Sequence, residues 1–300
     1  MKPIILLVPI LLPLLSGILV LLNPNWSRRT RNSFSFITVC VSSVLIVLLL
    51  LYAERSPVTV YRFIGDFSLT FCIDGMTVLF AGMLALMWPF ALLYAFSYMA
   101  QSDQRGRFFA FYLMTYGITL GVAFSANLTT LYVFFEMLTL VTLPLVAHYQ
   151  NAESLHAARL YVLYCVAGAA LGFIAMILGT LDGDGMFRYG GSLIGRFSAS
   201  VMYAAYLCGF FGFGAKAAVF PMFHWLPVAS AAPTPVTALL HAVAVVNTGF
   251  FAVTRISWFI FGPNLLLGTP VQILCVAVTA LSMVFGAVMA LKQRHFKRRL

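Results

Sequence analysis

Charge is what this sequence has least of. Only 9% of its 300 residues are Asp, Glu, Lys or Arg, and only eight of these are acidic. Soluble globular chains carry roughly 25% charged residues. With 62% hydrophobic residues and a mean hydropathy of +0.98, the composition excludes a soluble globular domain. It predicts a polytopic membrane protein.

The sequence also lacks the motifs of a redox centre or a nucleotide site. Its five cysteines form no Cys-x-x-Cys pair, and four lie inside apolar runs, where a free cysteine acts as a small hydrophobic residue. No glycine-rich nucleotide loop or flavin motif is present. We therefore expect no metal site, disulfide framework or other cofactor. Redox energy, if it is used, would come from partner subunits.

Nine segments are long and apolar enough to cross a bilayer as helices, which takes about 20 mostly apolar residues. They cover roughly 4–22, 34–52, 75–98, 108–126, 128–147, 159–180, 200–220, 236–260 and 270–291. The first lacks the small-x-small cleavage site of a signal peptide. Residues 53–73 alternate apolar and polar around Gly65-Asp66, which predicts a small hairpin on the outer surface. The expected fold is an all-α transmembrane bundle with this one hairpin.

The net charge of +10 comes from basic residues in short loops between the apolar runs. Loops after odd-numbered spans carry eleven Lys and Arg residues, and the opposite side carries five. The positive-inside rule then places the N-terminus outside and the C-terminus in the cytoplasm, in a cell inner membrane. The basic residues therefore indicate the orientation of the chain in the membrane. We expect the chain to lie in a lipid bilayer and to bind no nucleic acid.

Glu136 lies well inside the fifth predicted span, and Lys216 lies inside the seventh. A lysine at the centre of a spanning helix costs about 2.5–3.5 kcal/mol on insertion scales, so such residues usually mark a functional path. The alternatives are a proton or ion path and a buried salt bridge between two helices. Pro221 and Pro227 follow Lys216 and predict a broken seventh helix, as in the ion sites of transporters. Arg255 also lies at or near membrane depth.

Histidines provide further candidates for a proton path. His241 in the eighth span is either a relay or a hydrogen-bonded packing residue, and Asn247 follows it. His224 is an uptake or a packing group. Asn247 and His148 are further candidates for the pathway or its entry, and a surface role is the alternative expected for His148 and for His156. Haem ligation by His224 and His241 has no other support in the sequence.

Longer stretches around these residues resemble a known family. They are IDGMTVLF with YAFSYM, then NLTTLYVFFEMLTLVTLPLVAH, GAKAAVFPMFHWLPVASAAPTPVTALLHAVAVV and ALKQRHFKRRL. The chain resembles the proton-pumping, antiporter-like membrane subunits of respiratory complex I. These are related to subunits of multisubunit (Mrp-type) cation/proton antiporters and of membrane-bound hydrogenases. The resemblance covers nearly the whole chain, and the run from Gly214 to Val246 is its most specific part.

The resemblance implies roles for the candidate residues. It matches Glu136 and Lys216 to a coupled pair and His241 to the group that passes protons onward. It implies three parts: an N-terminal segment 1–100, a five-helix repeat 101–262, and the start of an inverted repeat at 263–300. Two departures from the family are visible. Asn247 stands where the antiporter branch has a lysine, and the chain stops at Leu300, where family members continue. We therefore expect a truncated gene product, a fragment or a split subunit.

Three functions follow from these observations. The first is a proton or cation/proton translocating subunit of a redox-driven or antiporter complex, with other membrane subunits as partners. The second is a truncated, non-conducting structural or assembly subunit of such a complex. The third is a stand-alone membrane enzyme or haem protein. No catalytic centre is predicted on this chain.

Overall fold

The computed structural model describes residues 4–102 and 104–299 as a bundle of helices with one hairpin. The long helices are α1 (Ile4–Leu22), α2 (Arg28–Tyr52), α3 (Gly75–Tyr98), α4 (Arg105–Ala123), α5 (Leu128–Val146), α6 (Ala152–Asp182), α7 (Ala199–Gly214) and α12 (Pro270–Lys292). Shorter pieces are α8 (Trp225–Ala229), α9 (Thr234–Ala238), α10 (Val245–Arg255), α11 (Pro263–Leu266) and α13 (Phe296–Arg299). Strands β1 (Val58–Ile64) and β2 (Phe67–Phe71) pair antiparallel.

The prediction of a polytopic helical membrane protein is confirmed. Within the described ranges, seven helical stretches are long and apolar enough to cross a membrane. Helix α4 coincides with one of the two other predicted spans, and the shorter α7 covers the other only as far as Gly214. The eighth span, Thr234–Ile260, is a composite of α9 and α10 interrupted by π-helical turns at Leu239–Val243 and Ile256–Ile260. The predicted hairpin turns at Gly65, whose φ of +55° suits glycine.

Two helices begin earlier than their apolar runs. Helix α2 starts at Arg28 because the Ser27 side chain accepts a hydrogen bond from the Thr30 amide and caps the first turn. Asn151 caps α6 in the same way through the Ser154 amide. Capping side chains, and not hydropathy, therefore set these boundaries.

Helix α4 forms the centre of the bundle. From Phe108 to Ala123 every residue except Phe111 is buried, and the helix packs against α1 and α5. Trp88 of α3 stacks on Tyr116 of α4, whose hydroxyl lies 2.9 Å from that of Ser43 on α2. A helix buried on all sides carries an apolar residue on nearly every face, which accounts for its lack of amphipathic pattern.

Helices α6 and α7 lie in backbone contact at Gly212. A Cβ atom at that position would lie 2.7 Å from the Gly168 carbonyl oxygen and 2.9 Å from the Gly172 Cα. Small residues at such a crossing let transmembrane helices approach closely. This contact fixes the end of α7 against the bundle, just before the chain departs from helical geometry.

The connection from α6 to α7 is held by hydrogen bonds. The fully buried Asp182 carboxylate accepts from the amides of Ile194, Gly195 and Phe197. By contrast, α12 lies on the outside of the described bundle, with Cys275 as its one buried residue. The Phe220 amide donates to Ser282 Oγ at 2.8 Å and ties α12 to the irregular segment after α7.

Candidate ion-translocation site

Lys216 does not lie in a helix, which corrects the expectation of a span over 200–220. Helix α7 ends at Gly214, and residues 215–224 form irregular turns. Pro221 has no amide hydrogen, and its ring would clash with the carbonyl four residues back, so a helix cannot continue through this stretch. Ala218 adopts a φ of +56°, which breaks the helical path locally. The helix therefore breaks before Lys216, and Pro227 lies within the short α8 that follows.

The broken backbone is satisfied from inside the bundle. Trp225, which is fully buried, donates its indole N–H to the Ala215 carbonyl at 2.8 Å. Irregular backbone at membrane depth is tolerated only where such partners exist or where it lines a cavity. The break thus presents Lys216 at a fixed position rather than in a loose loop.

The Lys216 side chain is fully buried and points at helix α5. Its Nζ lies 3.7 Å from Glu136 Oε1, within the range of an ion pair. The ammonium also donates a hydrogen bond to the Phe135 carbonyl and lies 3.5 Å from the centre of the Phe135 ring. All three contacts favour the charged form of the lysine in its fully buried position.

Glu136 is the more accessible partner of the pair. Its side chain is 26% exposed, whereas that of Lys216 is 0% exposed. Its Oε1 is buried without a hydrogen-bond partner among the described residues, so the ion pair is the main stabilising contact of that oxygen. At about 4 Å and an effective dielectric near 20, a unit charge pair gains about 4 kcal/mol. Moving this one carboxylate would therefore release much of what holds a proton on Lys216.

Helix α10 supports the broken segment through Gly249, a contact that the sequence did not reveal. A Cβ atom at this position would lie 2.9 Å from the Lys216 carbonyl carbon and 3.0 Å from the Ala217 Cα. Only glycine lets α10 lie flat against the break at this point. One glycine in an apolar helix carries no distinctive sequence signal.

His241 and the broken segment line the same cavity, of about 760 Å³. His241 lies in the first π-helical turn, and its Nε2 is buried without a hydrogen-bond partner among the described residues. Ala217 and Asn247 also line the cavity, and the Asn247 amide donates to the Ala242 carbonyl. Thr279 and Ser282 of α12 are further polar groups in the lining. The space adjoins the residue that follows Lys216 in the chain.

The other two candidate histidines lie elsewhere. His224 is exposed and precedes α8, outside the lining of the cavity. His148 is only 3% exposed, so the expected surface role is wrong for it. Its Nε2 lies 3.1 Å from Ser102 Oγ, and Arg107 donates to its carbonyl. Burial, helped by the Arg107 charge, lowers the pKa of His148 to about 4, so it is neutral at pH 7.

A second ion pair joins the partly exposed Asp74 to the fully buried Arg255. Asp74 caps α3, and Arg255, fully buried at the end of α10, donates two hydrogen bonds to its carboxylate. The guanidinium lies 4.8–4.9 Å from the ring centres of Phe187, Phe251 and Phe259. Burial would raise the pKa of Asp74, but the Arg255 bonds outweigh it and hold that pKa below its usual value. The sequence analysis missed this pair. Two features of the sequence could have indicated it: Arg255 lies at membrane depth, and Asp74 directly precedes an apolar run.

The fold and this site define a class of protein: a multi-helix membrane protein whose interrupted helix presents a buried lysine to a carboxylate on its neighbour. The chain belongs to the NADH:quinone oxidoreductase/Mrp antiporter transmembrane family, whose sequence profile matches residues 125–300. The matched region contains α5, the break after α7, and His241, and so includes every candidate residue of the site.

Curated relatives come from both branches of that family. A chloroplastic NAD(P)H-quinone oxidoreductase subunit 5 from Piper cenocladum is 28% identical over 98% of this chain and 41% of its own length. A probable K⁺/H⁺ antiporter component from Rhizobium meliloti (strain 1021) is 29% identical over 96% of this chain and 29% of its own. The chain thus spans less than half the length of these curated relatives.

A solved structure supports the same fold. A chain of the membrane-bound sulfane sulfur reductase, an archaeal respiratory membrane complex, superposes with a TM-score of 0.81 at 20% identity. The match covers 97% of this chain and 60% of the other. At this identity the likeness concerns the fold. Because one of the relatives is chloroplastic, the expected cell inner membrane and the orientation of the chain stay predictions.

Proposed function

We propose that this chain moves protons, or exchanges protons for monovalent cations, as one subunit of a multisubunit membrane complex. One observation carries the proposal: a fully buried lysine on a helix break lies 3.7 Å from a carboxylate that is itself partly exposed. A purely structural ion pair would be equally served by two buried groups. A pair with one accessible member can be opened from outside the bundle.

The proposed step is electrostatic. At rest Glu136 is ionised and Lys216 protonated, and the two charges stabilise each other. When a neighbouring subunit or a bound cation draws Glu136 away, Lys216 loses about 4 kcal/mol of stabilisation in a buried site. This loss corresponds to roughly a thousandfold shift towards proton release. The two groups act as one titrating unit, so neither has an independent role.

The released proton would pass towards His241. The cavity that contains His241 reaches Ala217, the residue after Lys216, so a short chain of water can connect the two groups. The free Nε2 of His241 can accept a proton there. Beyond it, the Asn247 amide carries protons only through bound water, because it does not titrate near neutral pH.

The proposed complex contains other membrane subunits besides this chain. The relatives are named as components of a quinone oxidoreductase and of an antiporter, and the superposed chain belongs to a respiratory complex. No residue of the described site supplies redox chemistry, so the driving reaction would lie in such partners. The division into parts 1–100, 101–262 and 263–300 belongs to the same proposal.

The test is proton flux by the parent complex in sealed vesicles with a pH-sensitive dye. We expect Lys216→Ala to abolish flux while the chain still reaches the membrane, since removing a charge eases insertion. Lys292→Ala, which removes an exposed lysine at the end of α12, is the matched control and should leave flux unchanged. Full pumping by Lys216→Ala would show that the lysine is structural. Loss of complex assembly in that variant would instead favour the non-conducting, structural alternative.

A further inference from the structure

Four arginines surround a pocket of about 470 Å³ that the proposed ion path does not use. Arg28 and Arg31 come from the first turn of α2, and Arg105 and Arg107 from the first turn of α4. Two long helices thus begin at the same place. Their amide ends add partial positive charge to that of the four guanidinium groups.

Arg31 is the most deeply buried of the four arginines. It is only 7% exposed, lines the pocket, and its Nε is buried without a hydrogen-bond partner among the described residues. The Nε of Arg107 is in the same state. Leaving a buried donor unpaired costs about 1–3 kcal/mol, and more for a charged group. Both side chains line the same pocket, and neither Nε is paired within the described residues.

The remaining contacts hold the arginines in place without neutralising them. Arg105 donates to the Ala100 carbonyl at 2.6 Å and Arg107 to the His148 carbonyl at 3.1 Å. Gln104, which caps α4, makes no side-chain capping bond. Among the described residues that line the pocket there is no carboxylate.

The positive-inside rule alone does not require this arrangement. That rule depends on the number of basic residues in a loop, and exposed ones serve it well. Arg29 is such a residue: it is exposed, adjoins Arg28 and does not line the pocket. The burial of Arg31 and the concave shape need another explanation.

We propose that this pocket binds a phosphate group, carried by the headgroup of an anionic phospholipid. Planar guanidinium groups pair with phosphate oxygens through two parallel hydrogen bonds, and helix N-termini add to that attraction. The pocket lies at the N-terminal end of the apolar helix α2, at the depth where lipid headgroups would lie. Trp26, packed edge-on against Phe34, lines it as interfacial aromatic residues do. Free inorganic phosphate offers the same oxygens and is the other source of the ligand.

The experiment measures binding to the full chain purified in detergent. The probes are dioctanoyl phosphatidylglycerol, dioctanoyl phosphatidylcholine and inorganic phosphate. Arg28→Gln and Arg29→Gln form a matched pair, because both residues are exposed neighbours and only Arg28 lines the pocket. We expect tighter binding of phosphatidylglycerol than of phosphatidylcholine, about tenfold weaker binding in Arg28→Gln, and a change below about twofold in Arg29→Gln. Arg31→Gln should weaken binding further.

Three results would overturn the proposal, and a fourth would replace the lipid with a soluble ligand. Equal losses in Arg28→Gln and Arg29→Gln would show diffuse surface charge instead of a site. No binding of any probe would remove the site altogether. Binding seen only in Asp103→Asn would show that a carboxylate of the chain already uses the arginines; Asp103 lies outside the described residues. Binding of inorganic phosphate without either lipid would support the phosphate site and assign it a soluble ligand. The exposed Arg28 keeps the test valid even if Arg31→Gln does not fold.

Discussion

Gly249→Ala tests whether helix α10 positions the lysine of the proposed path. The new Cβ would lie 2.4 Å from the Ala217 amide nitrogen and 2.9 Å from the Lys216 carbonyl carbon, where ordinary contacts begin at 3.4 Å, so the break or α10 must move by about 1 Å. Overpacking of this kind costs about 1–3 kcal/mol. If Lys216 moves away from Glu136 by that amount, their attraction weakens by a further ~1 kcal/mol.

We therefore expect Gly249→Ala to lower both the thermal stability of the protein and proton flux by the parent complex in vesicles. The control is Gly82→Ala in α3, where a new Cβ would meet only Leu50 Cδ1, at 3.8 Å. Alanine favours a helix over glycine by roughly 0.5–1 kcal/mol, so Gly82→Ala should be neutral or stabilising. Stability and flux in Gly249→Ala equal to those of Gly82→Ala would refute the idea that α10 positions Lys216.

Two further predictions concern groups outside the spans. Asp74→Asn should destabilise the protein by about 3 kcal/mol in chemical denaturation, because it leaves Arg255 buried without a counter-charge; an unchanged midpoint would contradict this. Since the folded pKa of Asp74 is lowered, its contribution is present at neutral pH and is lost as the pH falls below about 4. His148 has a lowered folded pKa of about 4, so the folded state resists its protonation, and stability should fall as the pH drops from about 6.5 towards 4. His148→Gln should flatten that part of the stability curve and the exposed His156→Gln should not; identical curves for both variants would count against the assignment.

The spans, the hairpin and the residues of the candidate pair could be read from the sequence. Hydropathy determines which segments enter a bilayer, because burying apolar surface dominates the energy of insertion. The cost of an isolated membrane charge singled out Glu136 and Lys216, and the prolines indicated a break. These properties belong to single residues or short windows, so no tertiary information is needed to recognise them.

Tertiary structure decided the rest. Helix α7 ends before Lys216 because backbone strain and the Trp225–Ala215 bond choose the point of the break, and neither is visible in hydropathy. The partnership of Asp74 with Arg255 spans 181 positions of the chain, and so only folding brings the two together. The arginine pocket likewise arises where two helix starts meet. Which charges become neighbours is a property of how helices pack, and a linear sequence of apolar runs does not specify that packing.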